Sequence, residues 1–441
     1  MKEQKVLVIS VDPYITNPLN GNKEKASEYL GFSLDVSVTS LKQFLECGSY
    51  DEVQMNVVDI IHLNEFPKYT GFASMTEKQF HMLYPVNSAG KGEWYGWWTR
   101  NSEMKVIPPE LDSAMHFDYL YLLTKFDLVK LRNEGKFDMV WVFGIDPLSM
   151  YESAMVGKAP FWINGKGVQA DCKNFAMLGL TFSRVDGALE SFCHMCESML
   201  NYTYGVSLHD YNKPIQFNHF SELNTWQKFY LCQHTSTAGN KVYGVGQVHF
   251  SPNSTRDYEW ESQTPVLSYH QTFLEDYPNI TNKKVTTFTA EEYLKNRDKD
   301  GYGPLIKHHL WWLKHMPHYE GRDENGYLHN WWEYMLDFKY VTGLEVSAAY
   351  GTGKIRVPLG ETVEDIPFVI KYNTGEIVMT SVSRSGAILK YEENSAFSVS
   401  DGTIYGKSAG NGKIVIMYDG HALKYEVKVH KRKLFGLFDL I

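Results

Sequence analysis

The segment ESFCHMCESML, which begins at Glu190, combines a Cys-x-x-Cys pair with a His-x-x-Glu pair. Cys193 and Cys196 have the spacing of a dithiol redox motif or of half a zinc site. His194 and Glu197, with Glu190 one turn earlier, join an imidazole to two carboxylates. Such a set can bind a divalent metal ion or serve as a general acid and base. The two pairs predict different chemistry, and the direction in which each one faces decides between them.

Residues 186–200 contain good helix formers and no proline, and they follow capping candidates in the stretch SRVD, so this segment is predicted to be an α-helix. At 3.6 residues per turn the two cysteines lie on an apolar side of the helix. A thiol inside an apolar stripe lacks the exposed position at a helix N-terminus that favours the thiolate. Neither Cys172 nor Cys232 has a partner at short spacing that would complete a zinc site. We therefore favour core packing for the cysteines over zinc binding or redox chemistry.

The opposite side of this helix carries Glu190, His194 and Glu197, at positions i, i+4 and i+7. This arc has two interpretations that the spacing leaves open. It is either the first part of a metal or acid/base site, or the solvated face of an amphipathic helix in which the imidazole contacts both acids.

The segment GVGQVHFSPNSTRDYEW, residues 244–260, is the second candidate. The Pro252-Asn253 turn can bring His249, Arg256 and Asp257 together, and a histidine and an aspartate from a loop are what a helix-borne His/Glu set needs to complete a site. The alternative is a hairpin whose polar residues bond their own turn.

The resulting hypothesis names five catalytic candidates: His194, Glu197, Glu190, His249 and Asp257. Of these, His194, Glu197 and His249 are the predicted ligands of a divalent metal ion, which is the cofactor that such a set would bind. No other cofactor has sequence support, because the chain has no P-loop, no Gly-x-Gly-x-x-Gly after its first strand and no Gly-x-Ser-x-Gly elbow.

Four apolar runs are predicted to be buried strands that hold these residues. They are KVLVISV (5–11), VQMNVVDIIHL (53–63), FDMVWVFGI (137–145) and FAMLGLTF (175–182). Helical stretches alternate with them, which predicts an α/β domain with a mostly parallel sheet. Functional groups collect beyond the carboxyl ends of such strands. Those ends are followed by Asp12, by GIDPLSMYES with Asp146, Tyr151, Glu152 and Ser153, and by the helix described above.

Domain borders are predicted at 204, 342 and 430. Residues 1–204 form the α/β domain, and residues 205–342 are an aromatic-rich extension packed on it. The chain holds 11 Trp, six of them in the doublets Trp97-Trp98, Trp311-Trp312 and Trp331-Trp332. These doublets are core if buried, and a surface for stacking sugars or binding protein if exposed.

Short alternating runs separated by Gly, Asn or Asp turns fill residues 343–430 and predict an all-β sandwich. Through VPLGETV (357–363), FSVSDGTIYGKSAGNGKIVIMYDG (397–420) and KYEVKV (424–429), this part resembles the bacterial immunoglobulin-like group 2 (BIG2) domains. The resemblance implies an immunoglobulin-like sandwich that serves as a spacer or adhesion module on bacterial surfaces and phage particles. The apolar tail, residues 431–441, is expected to dock on its own protein or on a neighbour.

Residues 1–340 resemble a group of uncharacterised microbial proteins through VWVFGIDPLSMYES, HMCES, GQVHFSPNSTRDYEW and NWW. This resemblance implies a shared domain and no particular activity.

Composition excludes several classes of function. A net charge of -9 provides no basic footprint for nucleic acid, and no apolar run approaches the length of a membrane span. The N-terminus has no secretory pattern, so we expect a soluble protein, cytoplasmic as synthesised, and leave open a surface or virion location after release.

Two functions remain. One is a metal-assisted, hydrolase-like protein that acts on a surface polymer, glycan or peptide. The other is a non-catalytic structural or adhesive component of a cell surface or virus particle, which self-assembles through the sandwich and the tail.

Overall fold

The computed structural model describes residues 2–66, 68, 74–93, 103–106, 119–145, 152–206, 220–236, 241–295, 302–338, 344–349, 353–372 and 376–431. The chain divides into two compact units, Met1–Met316 and Pro317–Ile441. This division falls within the predicted extension 205–342 and does not coincide with the predicted borders at 204, 342 and 430. Asp146, Tyr151, the Trp97-Trp98 doublet and the tail beyond residue 431 lie outside the described residues.

Unit 1 alternates strands and helices. Its strands are β1 (Lys2–Val11), β2 (Tyr14–Thr16), β3 (Lys23–Lys25), β4 (Val53–Leu63), β5 (Met139–Gly144), β6 (Ser153–Gly157), β7 (Val168–Gln169), β8 (Phe175–Thr181), β9 (Val242–Tyr243), β10 (Val266–Ser268) and β11 (Thr286–Phe288). Its helices are α1 (Ala26–Leu30), α2 (Leu34–Gly48), α3 (Glu77–Leu83), α4 (Tyr119–Lys125), α5 (Leu128–Asn133), α6 (Val185–Thr203), α7 (Thr225–Tyr230), α8 (Phe273–Asp276), α9 (Glu291–Leu294) and α10 (Pro304–Lys314). Short 3₁₀ turns cover Phe220–Glu222 and His270–Thr272.

The main sheet has six strands in the order β4-β1-β5-β8-β6-β7. The pairs β4/β1, β1/β5 and β5/β8 are parallel, which confirms the predicted, mostly parallel α/β sheet. The four predicted strands are β1, β4, β5 and β8. The added strand β6 runs antiparallel to β8. Its sequence, SAMVG, has no alternating pattern because all five residues are buried.

Continuous apolar runs place β5 and β8 at the centre of the sheet, with every residue of β5 buried. Helix α6 starts four residues after β8 ends and packs against β8, α2 and α10. A short connection after a central strand therefore fixes where α6 begins, and this helix carries the segment ESFCHMCESML.

Unit 2 is rich in strands. They are β12 (His318–Arg322), β13 (Leu328–Asn330), β14 (Leu344–Ala348), β15 (Lys354–Pro358), β16 (Thr362–Val363), β17 (Pro367–Tyr372), β18 (Ile377–Ser381), β19 (Ile388–Tyr391), β20 (Phe397–Ser400), β21 (Thr403–Gly406), β22 (Gly410–Tyr418) and β23 (His421–His430), with the short helices α11 (Trp331–Leu336) and α12 (Val382–Ser385). They form sheets ordered β14-β17-β18, β15-β23-β22-β19, β16-β21-β20 and β12-β13. Pairing is antiparallel except between β15 and β23. Alternate residues of β22 and β23, such as Ile414, Ile416 and Val427, face one buried core.

A buried ion pair joins the start of unit 2 to its last hairpin. Arg322 on β12 donates to Asp419 Oδ1 at 2.6 Å, and Tyr334 Oη donates to the same oxygen at 2.6 Å. Arg322 also donates to the carbonyl of Gly326 at 2.6 Å. Asp419, with a φ of 43°, belongs to the two-residue turn between β22 and β23. The side chains of Arg322 and Asp419 are only 3% and 4% exposed, so their charges depend on each other.

The tryptophan doublets that the structure describes are mainly core. Trp312, Trp331 and Trp332 are buried, and Trp311 is partly buried. This excludes a flat aromatic surface made by both doublets. Among the described helices, none combines the length and hydrophobicity that a membrane crossing needs.

Candidate metal centre

Helix α6 has polar side chains that are as buried as its cysteines. Cys193 and Cys196 are fully buried in the core, and burial raises the pKa of both thiols well above the usual value. On the other side His194 is 6% exposed and Glu197 is 1% exposed. The polar side is therefore enclosed by the rest of unit 1 and is not a solvated helix face.

The segment that encloses it is a tight backbone turn leading to His249. The amide of Gln247 donates to the carbonyl of Phe250 at 2.8 Å, and the amide of Phe250 donates back at 3.2 Å. Gly246 has a φ of 98°, and a Cβ atom there would lie 2.2 Å from the Phe250 carbonyl oxygen. Only glycine fits this position, because both the backbone angle and the contact exclude a side chain. The turn fixes the position from which His249 faces α6.

Three side chains of α10 form hydrogen bonds to backbone carbonyls of the same turn. Trp312 Nε1 donates to the carbonyl of Gly246 at 3.1 Å. The Nε2 atoms of His308 and His309 lie 3.0 Å and 3.1 Å from the next two carbonyls, those of Gln247 and Val248. A carbonyl oxygen only accepts, so both imidazoles carry their proton on Nε2. Three consecutive carbonyls are satisfied by one helix face.

Burial keeps these two histidines neutral. It lowers the pKa of His308 to about 4 and lowers the pKa of His309 well below its usual value, where the neighbouring His308 adds to the effect. A neutral imidazole donates to a carbonyl without placing a charge in the core. The spacing of HHLWW matches no metal motif, and its role becomes visible only through the carbonyls that it reaches.

Three possible ligand atoms converge where the turn meets α6. His194 Nε2 lies 2.8 Å from His249 Nε2, which lies 2.9 Å from Glu190 Oε1. Glu190 Oε1 lies 4.0 Å from His194 Nε2. Atoms bound to one ion at 2.1 Å are separated by at most about 4.2 Å, so all three distances are compatible with a common transition-metal ion. Two imidazoles and one carboxylate form a donor set that such ions accept.

The predicted ligand set and the convergent set differ in one residue. Among the described residues, Glu190, His194 and His249 form the cluster of possible metal ligands. Glu197 instead lies on the far side of the His194 ring, with Oε2 3.6 Å from Nδ1, and its Oε1 accepts from the amide of Val248 at 3.4 Å. Glu197 therefore contacts His194 on the side away from the cluster and accepts a hydrogen bond from the turn, and the carboxylate in the cluster is that of Glu190.

Asp257 contacts the second ring nitrogen of His249. Its Oδ1 lies 2.8 Å from His249 Nδ1, so His249 donates through Nδ1 and presents Nε2 to Glu190 and His194. A carboxylate behind a ligating imidazole is the usual arrangement at protein metal sites, where it fixes the tautomer of the ring. The ring of Tyr258 lies 4.2 Å from that of His249 and limits its rotation.

These groups line a cavity of about 370 Å³. Four carboxylates belong to it or to the ligand cluster: Glu152, Glu190, Glu197 and Asp257. No lysine or arginine is among the described residues that line it. Burial favours neutral His194, but the carboxylates around it outweigh this effect and raise its pKa. The cavity is therefore a place that favours positive charge.

Two carboxylates in this region have different protonation behaviour. Burial raises the pKa of Glu152, although the charges of the two imidazoles oppose the shift. Burial also acts on Glu190, but the hydrogen bond with His249 and the charge of that imidazole outweigh it, so that the pKa of Glu190 is lowered. Glu190 is the better anionic ligand, and Glu152 is the better proton donor.

The five predicted site residues come together from two segments that lie about 50 residues apart in the chain. Other predicted candidates serve the fold. Asp12 accepts from the amide and hydroxyl of Ser27 at 2.9 Å and 2.7 Å. Asn253 is fully buried and donates to two backbone carbonyls, and Arg256 points outward with its side chain 82% exposed.

The chain matches no protein-family model, and no curated protein sequence shows significant similarity to it.

Proposed function

We propose that the protein is a metal-assisted hydrolase that acts on a surface polymer, a glycan or a peptide. The observation that supports it most is the convergence of Glu190, His194 and His249 on one point beside a cavity. A divalent ion bound there would act as a Lewis acid and activate water.

The chain's own residues have distinct roles in this proposal. Glu190, His194 and His249 hold the ion, Asp257 orients His249, and Glu197 orients His194. Glu152 lines the same cavity, and its raised pKa suits a general acid that delivers a proton to the leaving group. The protein supplies fixed geometry and a proton donor, and these are its own contributions to bond cleavage.

The charge of the residues around the site indicates which chemical linkages the protein would cleave. An acidic cavity disfavours phosphorylated and other anionic groups next to the reacting bond, so neutral glycosidic, amide or ester linkages are the expected targets. The strand-rich unit 2 is proposed to be an immunoglobulin-like sandwich of the BIG2 kind, which would keep unit 1 close to a cell or virion surface.

Metal binding is the first test. The purified chain, stripped with chelator and titrated with Zn²⁺, Mn²⁺ or Co²⁺, is expected to bind one ion per chain, as measured by elemental analysis and calorimetry. His194→Ala should lower the affinity at least about 100-fold because it removes a ligand. His62→Ala, which removes an exposed histidine of β4, is the matched control. Equal binding by the two variants would contradict the proposed centre.

Hydrolysis is the second test. Purified cell-wall material is incubated with the metal-loaded chain, and new reducing ends and new free amines are measured separately to distinguish glycan from peptide cleavage. Glu152→Gln should retain the metal but lose at least about 100-fold in rate. A Glu152→Gln variant that cleaves at the wild-type rate would remove the proton-donor role.

The alternative is a non-catalytic structural or adhesive component of a cell surface or virus particle, assembled through unit 2. One observation favours it: Ile377 and Met379 are 65% and 61% exposed on β18, at the edge of the β14-β17-β18 sheet. Exposed apolar side chains on an edge strand favour strand-to-strand association. Sedimentation of the wild type and of Ile377→Lys tests this, since the alternative requires an oligomer that the variant loses.

A further inference from the structure

The outer face of the β15-β23-β22-β19 sheet in unit 2 is strongly basic. In these antiparallel and parallel ladders, residues directly opposite each other share a face. Lys390, Val415 and Lys424 form one row, Lys413, Glu426 and Lys354 the next, and Asn411, Lys428 and Arg356 the third. All six cations are exposed, whereas the neighbouring residues Val427 and Ile414 face the core.

This face has little compensating negative charge. Within the four strands, Glu426 is the single outward carboxylate among six cations, and Glu392 and Glu393 follow the end of β19. None of the six cations forms an ion pair with a described carboxylate. Arg356 and Lys428 stand directly opposite each other, which is a repulsive arrangement. A surface that served only solubility would mix both signs, so this one is specialised in charge.

The face is also concave. Four of its cations, Lys354, Arg356, Lys413 and Lys428, line a cavity of about 550 Å³ together with Asn411 and Glu426. Cations on a groove reinforce one another's potential and attract anions more strongly than the same cations on a convex surface. The whole chain has a net charge of -9, so the charge of this face is opposite in sign to that of the protein.

We propose that this basic face binds an acidic polysaccharide. Neighbouring strands lie about 4.8 Å apart, and successive outward residues of one strand about 6.8 Å apart, so the cations form a grid that suits an extended polymer with regularly repeated carboxylate or sulfate groups. The outward uncharged residues of these three rows are Asn411 and Val415, so the rows contain no aromatic platform for stacking bases. The apolar row Ile388, Met417 and Ala422 continues the same face, and a vesicle probe distinguishes a lipid surface from a polysaccharide.

This inference does not depend on the metal centre of unit 1. Its test uses the full chain and four probes: dextran sulfate, polygalacturonate, duplex DNA, and vesicles of equal parts phosphatidylglycerol and phosphatidylcholine. Uncharged dextran is the neutral control. Binding is measured at low salt and again at about 0.3 M NaCl, where screening weakens exposed ionic contacts.

The informative variant is Arg356→Gln/Lys428→Gln, which removes two cations of one row and relieves their repulsion, so folding is not at risk. Its matched control is Lys23→Gln/Lys78→Gln, which makes the same change in net charge at exposed positions of unit 1. We expect both acidic polysaccharides to bind, dextran not to bind, and the unit 2 variant to bind about tenfold more weakly while the control is unchanged.

Three results would overturn the inference. One is equal loss of polysaccharide binding in both double variants, which would mean a general charge effect. Another is tighter binding of duplex DNA or of the vesicles than of either polysaccharide, which would assign the face to a different partner. The third is binding of dextran as strong as that of dextran sulfate.

Discussion

The acidic cavity of unit 1 and the basic face of unit 2 use charge in opposite ways. In the cavity of unit 1 the side chains of Glu197 and His194 are enclosed and lie against each other, whereas Asp257, which contacts His249, is more exposed. In unit 2 the six cations of the basic face are exposed and are not paired with described carboxylates. Unit 2 also contains an enclosed ion pair, in which the buried charges of Arg322 and Asp419 are paired with each other.

Substitutions of buried charges and of exposed charges are expected to differ in cost. A buried charged group has lost its hydration, so removing its partner exposes the full cost of desolvation. An exposed cation stays hydrated, and its removal changes long-range attraction and leaves the fold intact. Enclosed charged groups should therefore control stability, whereas the exposed cations of unit 2 should control binding of polymers.

The largest effect is expected at the enclosed pair of unit 2. Arg322→Met leaves Asp419 buried with Tyr334 as its remaining side-chain donor and should lower the free energy of unfolding of unit 2 by about 3 to 5 kcal/mol. Hydrogen exchange of the amides in β12, β13 and α11 measures it.

The control for this variant is Lys371→Met, which removes an exposed cation that lies 3.8 Å from Glu345. It should change the stability by no more than about 0.5 kcal/mol. Similar losses from the two substitutions would abolish the distinction between enclosed and exposed charge.

Acid should destabilise unit 1 through its buried neutral histidines. Burial lowers the pKa of His270 to about 3 and that of His308 to about 4, against an ordinary value of 6.5. As the pH falls below 6.5 the unfolded chain gains protons first, so stability decreases with falling pH until the folded groups also titrate. Each should cost about 2 to 3 kcal/mol between pH 6.5 and 4.

Urea unfolding at several pH values measures this slope. His270→Gln removes one titrating group and should make the dependence on pH shallower by about one proton, whatever its effect on absolute stability. An unchanged slope would show that His270 is not a neutral core residue in solution.

The smallest of the three effects is expected at Asp257, which contacts the proposed ligand His249. Asp257→Asn keeps the size of the side chain but weakens its hold on His249 Nδ1, and should lower metal affinity about 10- to 100-fold. Calorimetric titration measures it, with Arg256→Gln as the neighbouring, exposed control. If Asp257→Asn binds the ion as tightly as that control does, the aspartate has no role in orienting the ligand.

Much of unit 1 could be predicted from local patterns. Continuous apolar runs identified β1, β4, β5 and β8, and helical periodicity separated the cysteines of α6 from its polar side. Both patterns depend on neighbours within one element, which is what a sequence displays directly. Strand β6 was missed because a short, fully buried run of small residues has no period to detect.

The site could be predicted only in part, because its contacts are long-range. Glu190 and Glu197 share one face of α6, and only the position of the turn at 246–250 decides which of them meets His249. The role of His308 and His309 depends on carbonyls 61 residues away. Glu152 stood out as the residue following a strand, but its raised pKa arises from burial that no local pattern records.

The border between the two units at Pro317 could not be predicted either, because it also depends on long-range contacts. The segment of β12, β13 and α11 looks like a continuation of the aromatic-rich stretch, yet Arg322 and Tyr334 reach Asp419 across 97 and 85 residues. An Asp-Gly pair between two strands is typical of a hairpin turn, which is a local pattern. The role of Asp419 as the buried anion that binds this segment depends on long-range contacts that no local pattern contains.

Gly246 has a consequence for anyone who wishes to move this centre onto another scaffold. Its backbone angle and the approach of the Phe250 carbonyl exclude every other amino acid, and the three donors of α10 hold that conformation in place. Transplanting the ligands alone would carry over the chemistry but lose the angle at which His249 is presented. The smallest portable module is α6, the segment 244–258 and α10 together, and the glycine is as indispensable to it as either histidine.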